Sequence, residues 1–288
     1  MYSHFVIGGT LSSAGTVDLV HALDVISRSA DGPDLVLWYG DHSDARIDVF
    51  LPPSPPSPAA APLTAAPLAV VLHGGFWREE WDRVHLRPMA QALSAAGFVV
   101  ATPEYRRGSG RWQAMSVDIE VALAAVAGLV GEAAPGLIDA AAPLVLAGHS
   151  AGGHLALWSG LRAGPDVVRR IVALAPVSDV YWAARSGMGS DAARDLLGGS
   201  PDEVPVAYAD ADAVRLLPGD VPVTLIQGDD DKQVTVDMNR QLAADLEAAD
   251  DGTASFTYVE LAGVDHFALI DPESDAWSTV LGALTSPS

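Results

Sequence analysis

A serine stands between two glycines in PLVLAGHSAGGHLALW, residues 143–158. A short apolar run leads into Gly148-His149-Ser150-Ala151-Gly152, and an apolar-rich pattern of helical spacing follows at once. At a seam between strand and helix the chain must turn sharply, and the residue at the turn is strained. Glycines on both sides remove the side chains that would collide there. The Ser150 hydroxyl is then held out above the sheet edge, at the N-terminus of a helix, where it can act as a nucleophile. A serine hydroxyl reacts poorly at neutral pH. It needs a base within hydrogen-bond reach, and the base needs a group to orient it.

In the chain order that accompanies such an elbow, an acid follows the serine and a histidine comes last. His266 lies in LAGVDHFALID, a few residues past an expected strand at 255–261, and is the only histidine after His154. It reads as the base. The strand VPVTLIQ ends in Gly228-Asp229-Asp230-Asp231. Three adjacent aspartates cannot all orient one imidazole. The frame Gly-x-x-Asp-x-x-Val, from Gly228 to Val234, favours Asp231. Asp229 and Asp230 remain open, and Asp265 more remotely, because adjacent side chains seldom face each other.

Attack on a carbonyl makes an oxyanion, and each preorganised N–H donor to it is worth roughly 2.7–4 kcal/mol. One expected donor is the N–H of Ala151, directly after the nucleophile. HGGFW, residues 73–77, should supply the others. Two glycines let backbone approach substrate without a Cβ in the way, so Gly75 and Phe76 are the expected donors and Gly74 shapes the loop. His73 is expected to brace that loop. Trp77, Trp81, Trp112, Tyr181 and Trp182 are candidate walls of a substrate pocket, with ordinary packing as the alternative for each. Glu104, Tyr105 and Arg106 are expected to pair locally, Asp118 with a nearby arginine, and Trp158 to lie in the core. His149 and His154 are five apart, which is wrong for two metal ligands on one helical face. No metal and no cofactor are expected.

These residues need a scaffold. Residues 35–39 and 46–51 read as short strands around the turn signal Gly-Asp-His-Ser-Asp, hence a hairpin. Apolar runs at 68–72, 98–102, 144–147, 171–174 and 221–227 read as buried strands, and 255–261 as a last one. Helical spacing occupies 86–96, 117–130, 151–162 and 275–284. Strand and helix alternate, which predicts a mostly parallel sheet with helices on both faces. Two stretches break the rhythm. Residues 52–67 are proline-rich, which forbids helix or central strand and leaves an exposed connection. Residues 178–219 form a long excursion before the next strand, expected to be a small lid over the active face.

Composition narrows the rest. The chain has 288 residues, 49% of them hydrophobic, which suits one globular domain over residues 1–288. Its 37 acidic residues against 16 basic ones leave a net charge of −21, which repels nucleic acid and anionic membranes. With no cysteine, disulfides and thiolate chemistry are excluded. Residues 1–20 lack the basic and apolar regions of a secretory signal, and no stretch reads as a membrane span. A cytoplasmic protein is expected, with a small molecule as its partner and its state, monomer or homodimer, left open. Gly8-Gly9 lacks a dinucleotide-binding frame.

With HGGFW, GHSAGGH, GDDDKQV and DHF in order, the chain resembles an α/β-hydrolase over about residues 35 to 285. More narrowly it resembles the branch with His-Gly-Gly-aromatic-Trp, which contains kynurenine formamidases and related carboxylesterases. HGGFW followed by Arg78, and PEYRR at 103–107, carry that narrower likeness. The resemblance implies the fold, with Ser150 as nucleophile, Asp231 as acid, His266 as base, and Gly74, Gly75 and Phe76 in the oxyanion loop. It departs in having Phe76 where such formamidases often have tyrosine, in lacking the third glycine of the lipase-like loop, and in its long proline-rich insertion. The expected function is a serine hydrolase cleaving a small carboxylic ester or arylformamide through an acyl-enzyme. The alternatives are kynurenine formamidase itself and, from a different class, a non-catalytic ligand-binding protein on the same fold.

Overall fold

The computed structural model describes residues 22–53, 65–249 and 255–286. The N-terminal twenty residues and most of the proline-rich segment, on which two sequence expectations fall, lie outside the described residues.

The apolar runs all become strands. In chain order they are β1 (Leu35–Trp38), β2 (Arg46–Phe50), β3 (Leu68–Leu72), β4 (Val99–Pro103), β5 (Leu144–His149), β6 (Val168–Leu174), β7 (Val223–Gly228) and β8 (Phe256–Leu261). They form one sheet in the order β1-β2-β4-β3-β5-β6-β7-β8. β1 and β2 make the expected hairpin, with Leu35 opposite Val49 and Trp38 opposite Arg46. β2 meets β4 antiparallel, and every pairing from β4 to β8 is parallel. Parallel strands need crossovers, which the helices supply. These are α1 (Arg87–Ala95), α2 (Trp112–Ala133), α3 (Ala151–Ala163), α4 (Val180–Ser186), α5 (Met188–Leu197), α6 (Pro205–Ala211), α7 (Val236–Ala249) and α8 (Trp277–Thr285).

Alternate residues of the inner strands enter opposite cores, as the two-residue period of a strand requires. Val70, Leu72, Leu146, Ile171 and Leu225 face one core with α2, α3 and α7. Ala69, Val71, Val145, Val172 and Ile226 face the other, with α1 and α8. Burial on both faces is why these strands read as unbroken apolar runs rather than as alternation. The two edge strands differ: β8 is only partly buried, and β1 leaves Val36 and Trp38 exposed.

Two sequence expectations need revision here. α2 spans 22 residues, longer than its read pattern, and by length and composition alone it is apolar enough to cross a membrane. It instead packs Ile119, Leu123, Val126 and Val130 into the first core. α7 is not anticipated by the apolar pattern, because only Met238, Asn239 and Leu242 of its residues are buried.

The expected lid is the connection between β6 and β7, and it carries α4, α5 and α6. It is anchored at several points. Trp158 Nε1 on α3 donates to the Asp210 carbonyl at 2.6 Å, and Trp112 Nε1 on α2 donates to Asp210 Oδ2 at 2.7 Å. Arg78 donates to the carbonyls of Gly189 and Ser190, both at 2.8 Å, where α5 is kinked. The insertion is thereby tied to the loop that follows β3.

Leu146 is fully buried at the centre of the sheet. Leu146→Ala is expected to destabilise the protein by about 2–5 kcal/mol, read as a lowered urea midpoint at unchanged slope.

Candidate active site

β5 ends at His149 and α3 begins at Ala151. Ser150 alone makes the turn, at φ 57° and ψ −120°. A non-glycine residue at such a φ costs on the order of 1–3 kcal/mol and persists only where its surroundings over-determine it. They do so here. The Ser150 N–H donates to the Leu174 carbonyl at 2.8 Å, and its own carbonyl accepts from the N–H groups of His154 and Val177 at 3.1 and 3.2 Å. The flanking glycines are obligatory on contact grounds. A Cβ at Gly148 would come within 2.1 Å of the Gly152 carbonyl oxygen, and one at Gly152 within 2.1 Å of the Leu72 carbonyl oxygen.

His266 and Asp231 meet. Nδ1–H of His266 donates to Asp231 Oδ2 at 2.6 Å, and both residues are buried. A carboxylate can only accept, so this bond puts the ring's proton on Nδ1 and leaves Nε2 free to accept one. Oδ1 of Asp231 accepts from the backbone N–H groups of Gln233 and Val234, each at 2.8 Å. The other aspartates are committed elsewhere. Asp229 accepts from the Gly263 N–H at 2.6 Å, Asp230 pairs with Lys232, and Asp265 accepts from the N–H groups of Phe267 and Ala268 at 2.9 Å each. The contacts therefore single out Asp231 among the four.

Ser150 and His266 line one cavity of about 120 Å³, together with Ile26, Gly75, Phe76, Trp81, His85, His149, Gln233 and Phe267. Gly75, Phe76 and Trp77 all have positive φ, at 109°, 51° and 57°. This run swings the loop after β3 across the elbow, and a Cβ at Gly74 would lie 3.0 Å from that of Ser150. Ala151 is the first residue of α3. Its N–H therefore has no partner within the helix, although the residue is fully buried and not among those lining the cavity.

The substrate-wall expectations divide. Trp81 lines the cavity. Trp77 and Trp112 do not; both are buried in the first core, Trp77 with its ring edge-on to His154 at 5.4 Å. Successive positive φ values send Phe76 to the cavity and its neighbour inward. Tyr181 packs against Tyr208, ring centres 5.1 Å apart, and Trp182 packs on the same core, so neither lines this cavity. Phe267, His85, Gln233 and Ile26 are walls that the sequence does not mark. Nothing in their local patterns distinguishes them, since only the fold gathers them.

Beneath the loop lies a buried polar frame. His73 faces the Gly74 carbonyl through Nδ1 at 2.9 Å and Glu104 through Nε2 at 2.8 Å. Glu104 also accepts from Arg107 at 2.6 Å and from Arg83, whose other nitrogen donates to Asp48 at 2.7 Å. Burial alone would raise the Glu104 carboxyl. The charge and hydrogen bond of His73 and the charge of Arg107 overcome it and hold the group at about 2. Arg106 pairs doubly with Asp118, at 2.9 and 2.6 Å, away from the serine. His149 has a part that its spacing did not suggest. Its Nε2–H donates to the backbone carbonyl of His266 at 2.9 Å, and its ring lies 4.4 Å from the His266 ring. The elbow itself thus holds the loop bearing His266.

A strand–serine–helix reversal in mid-sheet, with acid and histidine on the loops after the next parallel strands, is the plan of an α/β-hydrolase, and the fold is of that class. Within it the chain belongs to the BD-FAE family, whose model matches residues 48–246. Among solved structures it is similar to a truncated carbohydrate esterase from gut microbiota, at 18% identity and TM-score 0.71 over 88% of this chain and 98% of that one. It is similar to esterase B from Lactobacillus rhamnosis, at 18% identity and TM-score 0.70 over 94% and 91%. It also resembles a propionate-bound thermophilic esterase from the Planctomycetes species Thermogutta terrifontis, at 18% identity and TM-score 0.63 over 88% and 96%. Sequence comparison with curated proteins returns no match.

Two buried imidazoles, His149 and His154, and the half-buried ring of His85 generate a pH prediction. Burial, above all, lowers His85 and His154 to about 4, and lowers His149 well below its usual 6.5. In the unfolded chain these rings take protons near 6.5, while in the fold they stay neutral. Protons therefore favour the unfolded state between about 6.5 and 4, and stability is lost as pH falls through that window. Glu104, depressed from 4.5 to about 2, extends the loss below pH 4.5. Urea midpoints measured across pH should fall accordingly, and His154→Gln, whose amide does not titrate, should flatten part of the slope.

Proposed function

We propose that the protein is a serine hydrolase of small carboxylic esters, working through an acyl-enzyme. The observation that carries this is the 2.6 Å bond from His266 Nδ1 to Asp231, with the imidazole and the strained Ser150 facing one cavity. In this reading Nε2 of His266 takes the Ser150 proton as Oγ attacks the substrate carbonyl carbon. The oxyanion is received by the N–H of Ala151 and by the loop of Gly74, Gly75 and Phe76, with Gly75 and Phe76 donating. The intermediate collapses, the bond to the leaving oxygen breaks, and Nε2 returns the proton to the departing alcohol. Water, deprotonated by the same nitrogen, then attacks the acyl carbon and frees Ser150. Asp231 fixes the ring tautomer and balances the transient imidazolium.

Cavity size supports a small acyl group. At about 120 Å³ it is somewhat smaller than the roughly 150 Å³ engineered cavity that admits benzene. Acyl groups of two to about four carbons fit that volume. The likeness to esterases, one of them holding propionate, agrees with this choice.

A second reading, arylformamide hydrolysis of the kynurenine formamidase kind, draws on the aromatic walls Phe76, Trp81 and Phe267. Formyl is the smallest acyl group, and an aryl amine could lie against those rings. Comparing kcat/KM for N-formylkynurenine with that for p-nitrophenyl acetate separates the two, and the ester is expected to be preferred.

Ser150→Ala is expected to lower kcat on p-nitrophenyl acetate by at least about a thousandfold and to abolish labelling by a fluorophosphonate. Wild-type turnover by that variant would falsify the serine mechanism, and an inert wild-type protein that still binds esters would mark a binding protein instead. Across p-nitrophenyl esters, kcat/KM should be highest from acetyl to butyryl and fall at octanoyl.

A further inference from the structure

Behind Asp231 runs a line of polar side chains that the elbow, the oxyanion loop and the cavity do not use. Gln227 near the end of β7, Asn239 on α7 and Ser178 at the root of the β6–β7 insertion are each 0% exposed. Gln227 Nε2 donates at 3.1 Å to Oδ2 of Asp231, the same oxygen that accepts from His266. That nitrogen also faces the carbonyls of Gly228 and Val234, at 3.1 and 3.4 Å. On its other side Oε1 accepts from Asn239 Nδ2 at 2.7 Å. Asn239 Nδ2 also donates to the Pro176 carbonyl at 3.0 Å, and its Oδ1 accepts from the Ser178 hydroxyl at 2.6 Å.

The orientation of each amide is dictated by its partners. Turning Gln227 over would aim its oxygen at a carboxylate and two carbonyls. Turning Asn239 over would aim an oxygen at Gln227 Oε1 and at the Pro176 carbonyl. Every hydrogen bond in the line therefore points one way, from Ser178 to Asn239 to Gln227 to Asp231. Buried polar groups destabilise a core unless they are satisfied, and a satisfied network is rigid. The neighbours of Gln227 on β7, Leu225 and Ile226, are apolar, so the sheet's packing does not call for an amide here. The backbone N–H groups of Gln233 and Val234 hold only Oδ1 of Asp231. Among the described residues, Gln227 and the imidazole are the donors to Oδ2, so without Gln227 the oxygen that carries the ring is held by the ring alone. The carboxylate is then free to rotate, and the ring with it.

We propose that Gln227 is a positioning residue for the acid–histidine pair, and that Asn239 and Ser178 hold it in the one orientation that donates to Asp231. The proposal rests on the serine-hydrolase reading above. Misplacement of reacting groups by a small distance slows chemistry more than it weakens binding. Loss of the line should therefore appear in kcat and leave KM alone, whereas a merely structural role would lower the melting temperature at constant kcat per folded molecule.

The test measures kcat, KM and thermal midpoint on p-nitrophenyl acetate for Gln227→Met, Asn239→Leu and Ser178→Ala, normalised to folded protein by circular dichroism. Gln227→Met keeps the side-chain length and removes the amide. Its kcat is expected to fall roughly tenfold or more, with KM within about twofold. Asn239→Leu should show the same signature more weakly, and Ser178→Ala more weakly again. Wild-type kcat per folded Gln227→Met molecule overturns the proposal. If that variant does not fold, wild-type kcat in Asn239→Leu overturns it instead. Ser150→Ala is run beside them. If it is inactive while Gln227→Met is unimpaired, only the positioning role fails; if it retains full activity, the serine mechanism and the positioning role fail together.

Discussion

The structure depends on one reversal of direction. Between the last residue of β5 and the first of α3 there is only Ser150, at φ 57° and ψ −120°. That geometry exists because Gly148 and Gly152 have no Cβ, and because bonds from Leu174, His154 and Val177 pin both ends of the serine's peptide units. The strain is local and its compensation is distributed. β6 supplies one acceptor, α3 one donor, and the chain leaving β6 another. The elbow is therefore a property of the sheet's centre, and it could not be moved to an edge strand without losing its supports.

From that point outward, polar groups are buried in two separate frames with distinct tasks. One underlies the loop after β3 and consists of His73, Glu104, Arg83, Arg107 and Asp48, all paired. Buried charges are tolerated only when paired and hydrogen-bonded. The frame meets that condition and fixes the carbonyl of Gly74 next to the serine. The other frame lies behind Asp231 and consists of uncharged amides and a hydroxyl. Between them His149 links the elbow to the loop of His266. The serine, the histidine and the loop expected to stabilise an oxyanion are thus each braced by residues that do not face substrate. The β6–β7 insertion is bound to the first frame's loop through Arg78, and its root reaches the second through Ser178.

Much of this was legible before folding. The unbroken apolar runs announced strands buried on both faces, since a parallel sheet covered by helices leaves no polar side. The glycine pair around Ser150 announced the elbow, and order along the chain announced His266. The three consecutive aspartates marked where local pattern runs short. The frame Gly-x-x-Asp-x-x-Val favours Asp231 but leaves Asp229 and Asp230 open, and only the loop's path shows that those two spend their oxygens on Gly263 and Lys232. Trp77 shows the same limit from the other side. Its neighbours and its aromatic character suggested a pocket wall, yet two successive positive φ angles turn it into the core.

By itself the sequence determined what depends on neighbours along the chain. That covers the strand and helix periods, the glycines that a tight turn requires, and the chemical types able to form a nucleophile, a base and an acid. Tertiary structure alone decided what depends on convergence from distant segments. It committed Asp229 and Asp230 elsewhere, gathered Ile26, His85, Gln233 and Phe267 around the cavity, and threaded the buried amides of Gln227 and Asn239 behind Asp231. The physical reason is range. Backbone sterics and hydrophobic periodicity act over a few residues and leave their mark locally. Hydrogen bonds between side chains dozens of positions apart exist only after the sheet has set their geometry.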